Sequence, residues 1–313
     1  MKRIMSYHST KQRRTQTVII PVDKIRAAAE KRCTIRTDRT DALRLFDGSG
    51  DGLSDLIIDD FAGRWIIQTM GERTPVLDPG LGYRSLYWKP LLRTSKPAPS
   101  HVGGEVIGAP FIVRECGLQF EINFQAGYSP GLFLDQRTNR LKLSKPAKNK
   151  SVLNTFAYTC AFGVAAASGG ASTVNLDLSR HYLDWGKRNY EINGISAEAH
   201  DFIYGDVFDW LARFRRRARK FDIIILDPPT FSRDRKSKVF RIQDDYGELA
   251  ALAVKCLDRD GLLFCSTNYH GINFDDFLRI LTSALDRPFK ATAGSMPPDF
   301  SGEKYLKTVW MQF

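Results

Sequence analysis

The chain has 313 residues, 43% of them hydrophobic, which is enough for one large domain or two ordinary ones and excludes a wholly disordered chain. Lys and Arg number 46 against 35 Asp and Glu, and the resulting formal charge of +11 favours a polyanionic partner, because each phosphate neutralised releases counterions. Five scattered cysteines, Cys33, Cys116, Cys160, Cys256 and Cys265, form no Cys-x-x-Cys pair, which argues against a metal or disulfide framework and for a reducing, cytoplasmic setting.

The start of the chain is basic but runs into Lys11, Arg13 and Arg14 rather than an apolar signal core, and no apolar run approaches membrane-spanning length. Residues 1–20 therefore read as a flexible basic tail; residues 1–40 hold eleven Lys or Arg against three Asp or Glu. Asp23 to Arg32 predicts a short helix. The turn-rich stretch Phe46-Asp-Gly-Ser-Gly-Asp-Gly-Leu53 precedes two strands within 56–68, joined by a turn at Ala62-Gly63. Pro97, Pro99, Gly103 and Gly104 predict a loop over 94–104, and strand signals follow at 111–114 and 118–124. Residues 21–125 thus form an expected α+β domain with an RNA-binding role, and residues 126–313 a second domain.

From Ser151 the pattern changes to strands alternating with helices, the signature of a parallel sheet built from βαβ units. Strands are expected at 152–154, 173–177, 199–204, 221–226 and 262–266, with helices around 162–168, 179–193, 207–217 and 246–257. The fold class is α/β, a Rossmann-like sheet preceded by the smaller domain. Two further basic runs lie here: Arg213, Arg215, Arg216, Arg217, Arg219 and Lys220, then Arg233, Arg235, Lys236, Lys238 and Arg241. A single run is as often a solvated face as a binding site, but three together favour nucleic acid.

Open α/β sheets bind ligands beyond the carboxyl ends of their strands, and those ends are polar in this chain. The first, Val152-Leu-Asn-Thr-Phe-Ala-Tyr-Thr-Cys-Ala-Phe-Gly163, lacks the Gly-x-Gly-x-x-Gly of a dinucleotide site. Asp177 stands where an acid accepts ribose hydroxyls, although a strand-end Asp is often only a helix cap. After the third strand Asp206 is placed to receive an adenine amino group, with Val207 or Phe208 against the ring, and a helix cap explains Asp206 equally well. The fourth strand ends in Asp227-Pro-Pro-Thr-Phe-Ser232, where two prolines stop the strand and make a rigid, acceptor-rich corner suited to a flat base.

Residues 130–270 resemble class I S-adenosylmethionine-dependent methyltransferases, and more narrowly the bacterial large-subunit (23S) ribosomal RNA methyltransferases. The resemblance rests on Gly131-Leu-Phe-Leu-Asp-Gln-Arg-Thr-Asn-Arg140, Leu153-Asn-Thr-Phe-Ala-Tyr-Thr159 and Asp227-Pro-Pro-Thr-Phe231. It extends to Gly48-Ser-Gly-Asp-Gly-Leu-Ser-Asp-Leu-Ile-Ile-Asp59 in the preceding domain. It implies S-adenosylmethionine as cofactor, held by Phe133, Leu134, Asp135, Gln136, Arg137, Arg140, Asn154, Phe156, Tyr158, Thr159, Asp177, Leu178, Ser179, Asp206, Val207 and Asp227. It implies 23S ribosomal RNA as partner, with neither a metal nor a membrane. Cys160 stands where the family usually has glycine, which keeps open an RNA-binding protein with an inactive methyltransferase fold.

Methylating cytosine at C5 requires a cysteine thiolate to add to the ring first. Leu262-Leu-Phe-Cys-Ser-Thr-Asn-Tyr-His270 places Asn268 at the position of that thiol in the cytosine enzymes, and puts Cys265 inside the strand as a core residue. The motif pair resembles more closely the guanine N7 branch, with Asp227, Pro228, Pro229 and Asn268 orienting the base and Phe231 or Tyr269 stacking on it. Cytosine C5 transfer and amino-group transfer remain alternatives, the second weakened by Thr230 between Pro229 and Phe231.

Overall fold

The computed structural model describes residues 17–92, 96–233 and 239–313; most of the expected basic tail and of the third basic run, and the Phe231 side chain, lie outside the described part. Among the described residues no helix is long and apolar enough to cross a membrane.

The N-terminal part comprises β1 (Thr17–Ile19), α1 (Val22–Lys31), β2 (Ala42–Asp47), β3 (Leu56–Phe61), β4 (Arg64–Met70), β5 (Thr74–Val76), β6 (Ser85–Leu91) and β7 (Ser100–Gly104). Five of these strands form a sheet in the order β2-β3-β4-β6-β7, and α1 covers it with Ile25 and Ala28. The β3–β4 turn uses left-handed Ala62 and Gly63, as their sequence suggested. Residues 100–104, expected in a loop, are instead an edge strand paired antiparallel to β6. An edge needs only one hydrogen-bonding partner and so tolerates glycine. At Gly104 it demands glycine: φ is +68° and a Cβ would lie 2.4 Å from the Arg84 carbonyl oxygen.

A hairpin, β8 (Phe111–Glu115) and β9 (Leu118–Ile122), leads through α2 (Arg137–Ser144) into a seven-stranded sheet. Its elements are β10 (Ser151–Thr155), α3 (Ala161–Ser168), β11 (Ser172–Asp177), α4 (Arg180–Ile192), β12 (Asp201–Tyr204), α5 (Val207–Arg216) and β13 (Phe221–Leu226). After a short ribbon, β14 (Phe231–Arg233) and β15 (Val239–Arg241), come α6 (Ile242–Val254), β16 (Leu257–Thr267), α7 (Phe274–Ala284), β17 (Lys290–Ala293) and β18 (Lys307–Gln312). The spatial order is β12-β11-β10-β13-β16-β18-β17, parallel through β16, with β18 antiparallel to both its neighbours. The expected alternation is present with small shifts. Helix α6 starts four residues early, where Asp245 accepts from the Arg241 N–H at 2.7 Å and Asp244 adds charge to the first turn. The elements after residue 270 were not anticipated, because β18 enters by an antiparallel return and carries no βαβ signature.

One hydrophobic core runs across the boundary expected at residue 125: Phe61, Val113, Phe120 and Phe124 pack with Leu132, Leu183 and Tyr190. Buried polar contacts reinforce this seam. Asp299, fully buried, accepts from the Arg44 backbone N–H at 2.8 Å and from the Arg137 guanidinium, while Arg32 donates to the Asp299 carbonyl at 2.9 Å. The Arg44 guanidinium lies 4.2 Å from the Phe300 ring centroid. Removing one partner of a buried ion pair strands the other charge. Asp299→Ala is therefore expected to lower the unfolding free energy by about 3–5 kcal/mol, measured by urea denaturation, whereas substituting an exposed acid such as Asp184 leaves it nearly unchanged.

Candidate active site

The strand order reverses direction between β10 and β13, so the connections leaving their carboxyl ends diverge and open a crevice. A cavity of about 380 Å³ occupies it. Beyond β10 the chain turns through three left-handed, non-glycine residues, Phe156, Tyr158 and Cys160, each costing on the order of 1 kcal/mol. Side-chain and backbone bonds hold that strain in place. The Thr155 hydroxyl donates to Ile225 O at 2.6 Å, the Thr159 hydroxyl to Gly131 O at 2.6 Å, and the Tyr158 hydroxyl to Ser129 O at 3.1 Å. Gly131 is required: φ is +122° and a Cβ would meet the Trp185 ring at 2.5 Å.

Three carboxylates face the same cavity. Asp177, at the end of β11, accepts from the Tyr158 and Ser179 N–H groups, each at 2.8 Å; burial pushes its pKa up and those N–H groups pull it back. Asp135 accepts from the Tyr305 hydroxyl at 2.9 Å and is also raised by burial. Asp227, just beyond β13, is raised to about 6, by burial first and by the nearby Asp135 charge as well, against hydrogen bonds from Ser266 and Gln136. The corner is braced from behind. The Tyr246 hydroxyl lies 2.9 Å from the Leu226 carbonyl and accepts from the Ser266 N–H at 3.0 Å. Across the mouth, the Thr230 hydroxyl donates to the Asn268 side-chain oxygen at 2.6 Å.

Of the residues expected from sequence, Phe133, Asp135, Gln136, Arg140, Asn154, Phe156, Tyr158, Thr159, Asp177, Leu178, Val207, Asp227, Pro228, Pro229 and Asn268 line the cavity together. Four others do not. Leu134 is core, Arg137 turns to Asp299, Ser179 caps α4 through Tyr182 N–H, and Asp206 caps α5 through Asp209 N–H. Ser129, Phe162, Tyr182 and Leu306 line it unannounced. Tyr182 is the one with a usable signal, as it lies in the first turn of the helix that follows Asp177 and packs on Tyr158 with ring centroids 4.5 Å apart.

Cys160 is fully buried but absent from the cavity wall. Its thiol points to Gly186 on α4, where a Cβ would stand 2.3 Å from the sulfur. Cys265 is a core residue paired in register with Leu226 and Val309, and burial raises its thiol pKa far above the usual value. None of the five cysteines lines the cavity.

Burial raises three carboxylates although Arg140 stands on the same cavity wall, so a further positive charge is accommodated there, and Phe133, Phe156, Tyr158, Leu178 and Val207 offer apolar surface beside them. A sulfonium nucleoside with an ammonium group matches that donor set. Residues 91–298 match the family model described as S-adenosylmethionine-dependent methyltransferase.

The chain belongs to that methyltransferase family.

The chain is 41% identical over 199 residues to ribosomal RNA large subunit methyltransferase K of Neisseria meningitidis, covering 63% of this chain and 55% of that one. It thus spans about half the length of that relative. It is 31% identical to YwbD of Bacillus subtilis over 93% of this chain and 80% of the other. The crystal structure of SMU.776 complexed with SAH superposes with a TM-score of 0.84 at 27% identity, covering 93% of this chain and 80% of that one. The family's cofactor is S-adenosylmethionine, which the cavity suits.

In this family member Gly186→Ala is expected to cost about 1–3 kcal/mol by overpacking against the Cys160 thiol. Adding Cys160→Gly should recover most of that loss, because it removes the clash and suits the left-handed backbone. A double-mutant cycle by chemical denaturation checks this: additive losses would show that the two side chains do not compete for space.

Proposed function

We propose that this methyltransferase transfers the methyl group of S-adenosylmethionine to a base of large-subunit ribosomal RNA, and that the acceptor is guanine N7. The observation that carries this reading is one cavity in which Asp135, Asp177 and Asp227 converge with the Pro228-Pro229 corner and Asn268, and into which no cysteine opens. The name of the Neisseria relative supports the RNA, and the net charge of +11 agrees with it.

In this reading Asp177 holds the ribose hydroxyls, Leu178 and Val207 flank the adenine, and Asp135 with Gln136 faces the amino-acid end. Bound there, the cofactor supplies an electrophilic methyl group on a cationic sulfur. The protein's own task is to hold the base still and balance charge. Guanine N7 is an acceptor that carries no hydrogen, so no general base is required. Because the Asn268 oxygen is occupied by Thr230, its amide N–H groups remain as donors, which match the adjacent guanine O6. The Asp227 carboxylate then offsets the positive charge that develops on the purine. A base taken from a duplex must first leave the stack, at a cost of a few kcal/mol.

Asp227 titrates near 6 and serves as the anion, so the competent fraction rises as the pH climbs through about 6 and falls below it. At subsaturating cofactor, kcat/KM should gain a limb near pH 6 and level off above pH 7. At saturation the limb moves lower, because a bound cation favours the carboxylate. Asp227→Asn should lower activity by about 100-fold and abolish the limb. Persistence of the limb in that variant would remove Asp227 from the reaction. Labelled cofactor, deproteinised ribosomal RNA and nuclease mapping locate the methyl group; label on cytosine C5 would overturn the guanine reading.

A further inference from the structure

The fold splits the polar features of the chain between two poles. The cavity lies beyond the carboxyl ends of the parallel strands, whereas α5 begins beside it at Val207 and runs back toward the start of β13. Its ten residues span about 15 Å, so the arginine-rich segment at its far end sits at the opposite pole of the sheet. Six cations occupy the eight positions 213–220. Three are engaged within the protein. Arg213 lies over Trp210, Arg219 pairs with Asp201 at 3.0 Å and lies over Phe214 and Phe221, and Lys220 donates to the Lys255 carbonyl at 2.9 Å. The other three, Arg215, Arg216 and Arg217, are exposed, and among the described residues their side chains have no ion pair or hydrogen bond.

A helix carboxyl end is complemented by one or two cations in its last turn. Further like charges at neighbouring positions repel one another; water and salt screen that repulsion, and a bound polyanion relieves it further. Guanidinium groups are suited to phosphate, which they grip with paired N–H donors. We infer that the carboxyl end of α5 is a second RNA-contact surface, in which Arg215, Arg216 and Arg217 hold backbone phosphates of a substrate long enough to reach from the cavity to the opposite pole. The inference rests on the RNA reading of the cavity and adds a length requirement to it. An RNA that fills only the cavity gains nothing from these arginines; a long one does.

The test compares the unaltered protein with a variant carrying Arg215→Gln, Arg216→Gln and Arg217→Gln, and with a second carrying Glu at the same positions. Each is titrated with a long large-subunit ribosomal RNA fragment and with a short hairpin across a range of KCl. The Gln variant should bind the long RNA at least tenfold more weakly, and its slope of log Kd against log salt should be shallower by about 2, as expected for three lost phosphate contacts. The Glu variant should show a larger loss. Cofactor binding by calorimetry and methylation of the short hairpin should be unchanged, which also establishes that the variants are folded. Equal affinity and slope for the long RNA in all three proteins, or no salt-dependent RNA binding by the unaltered one, would overturn the inference. Salt-dependent binding that the variants weaken, without methylation of either RNA by any protein, would sustain the surface and defeat the proposed reaction.

Discussion

The site depends on one topological constraint: the strand order reverses between the parallel neighbours β10 and β13. On either side of that line the chain leaves the sheet toward opposite faces, so no helix covers the gap. Backbone groups there cannot be satisfied by the ladder, and polar side chains take their place. Asp177 serves as the acceptor for two N–H groups of its own neighbourhood, and Thr155 ties β10 to β13 across the gap. The raised pKa values of three aspartates follow from the same geometry, since the crevice strips water from the carboxylates by more than their hydrogen bonds, and Arg140 beside Asp135 and Asp227, offset.

The N-terminal part is built into this site rather than hung from it. Residues 299–305 run between the two sheets, with Asp299 bonded to Arg44 on one side and Arg137 on the other, and Tyr305 bonded to Asp135 in the cavity. Arg137 belongs to a segment whose sequence suggested cofactor contact, yet its charge is spent on this seam. Arg140, three residues on, pairs with Glu115 at 2.7 Å and so fastens the β8–β9 hairpin to the cavity wall. The segment therefore divides its work: Asp135 and Gln136 face the ligand space, while the arginines lock the frame that carries them.

Cys160 shows how a departure from a family pattern is absorbed. A side chain in the left-handed region at the mouth of a binding loop invites obstruction, but α4 offers Gly186 opposite the thiol, and the sulfur fills that notch instead of the cavity. The loop keeps its course and Tyr158 its hydrogen bond to Ser129. The inactive-fold alternative raised by this position thus loses its steric basis.

Much of this was legible in the residues themselves. Period-two and period-3.6 patterning announced the strands and helices from 151 to 267, because burial of alternate or every third and fourth side chain leaves a local imprint. The polar strand ends named Asp177 and Asp227, because ligands of open α/β sheets bind beyond those ends, whereas Asn268 was named by the family resemblance. Asp206 and Ser179 were ambiguous, since capping a helix and touching a ligand ask for the same side chains, and only the path of the chain assigned them to caps. Edge strand β7 and the antiparallel return of β18 left no imprint, as each depends on a partner distant in sequence. Local chemistry therefore wrote the element types and the reactive groups into the chain. Which arginines pair, which cysteine is hidden and which pole the basic helix end occupies were decided by contacts between residues far apart in sequence, which no window of neighbouring residues contains.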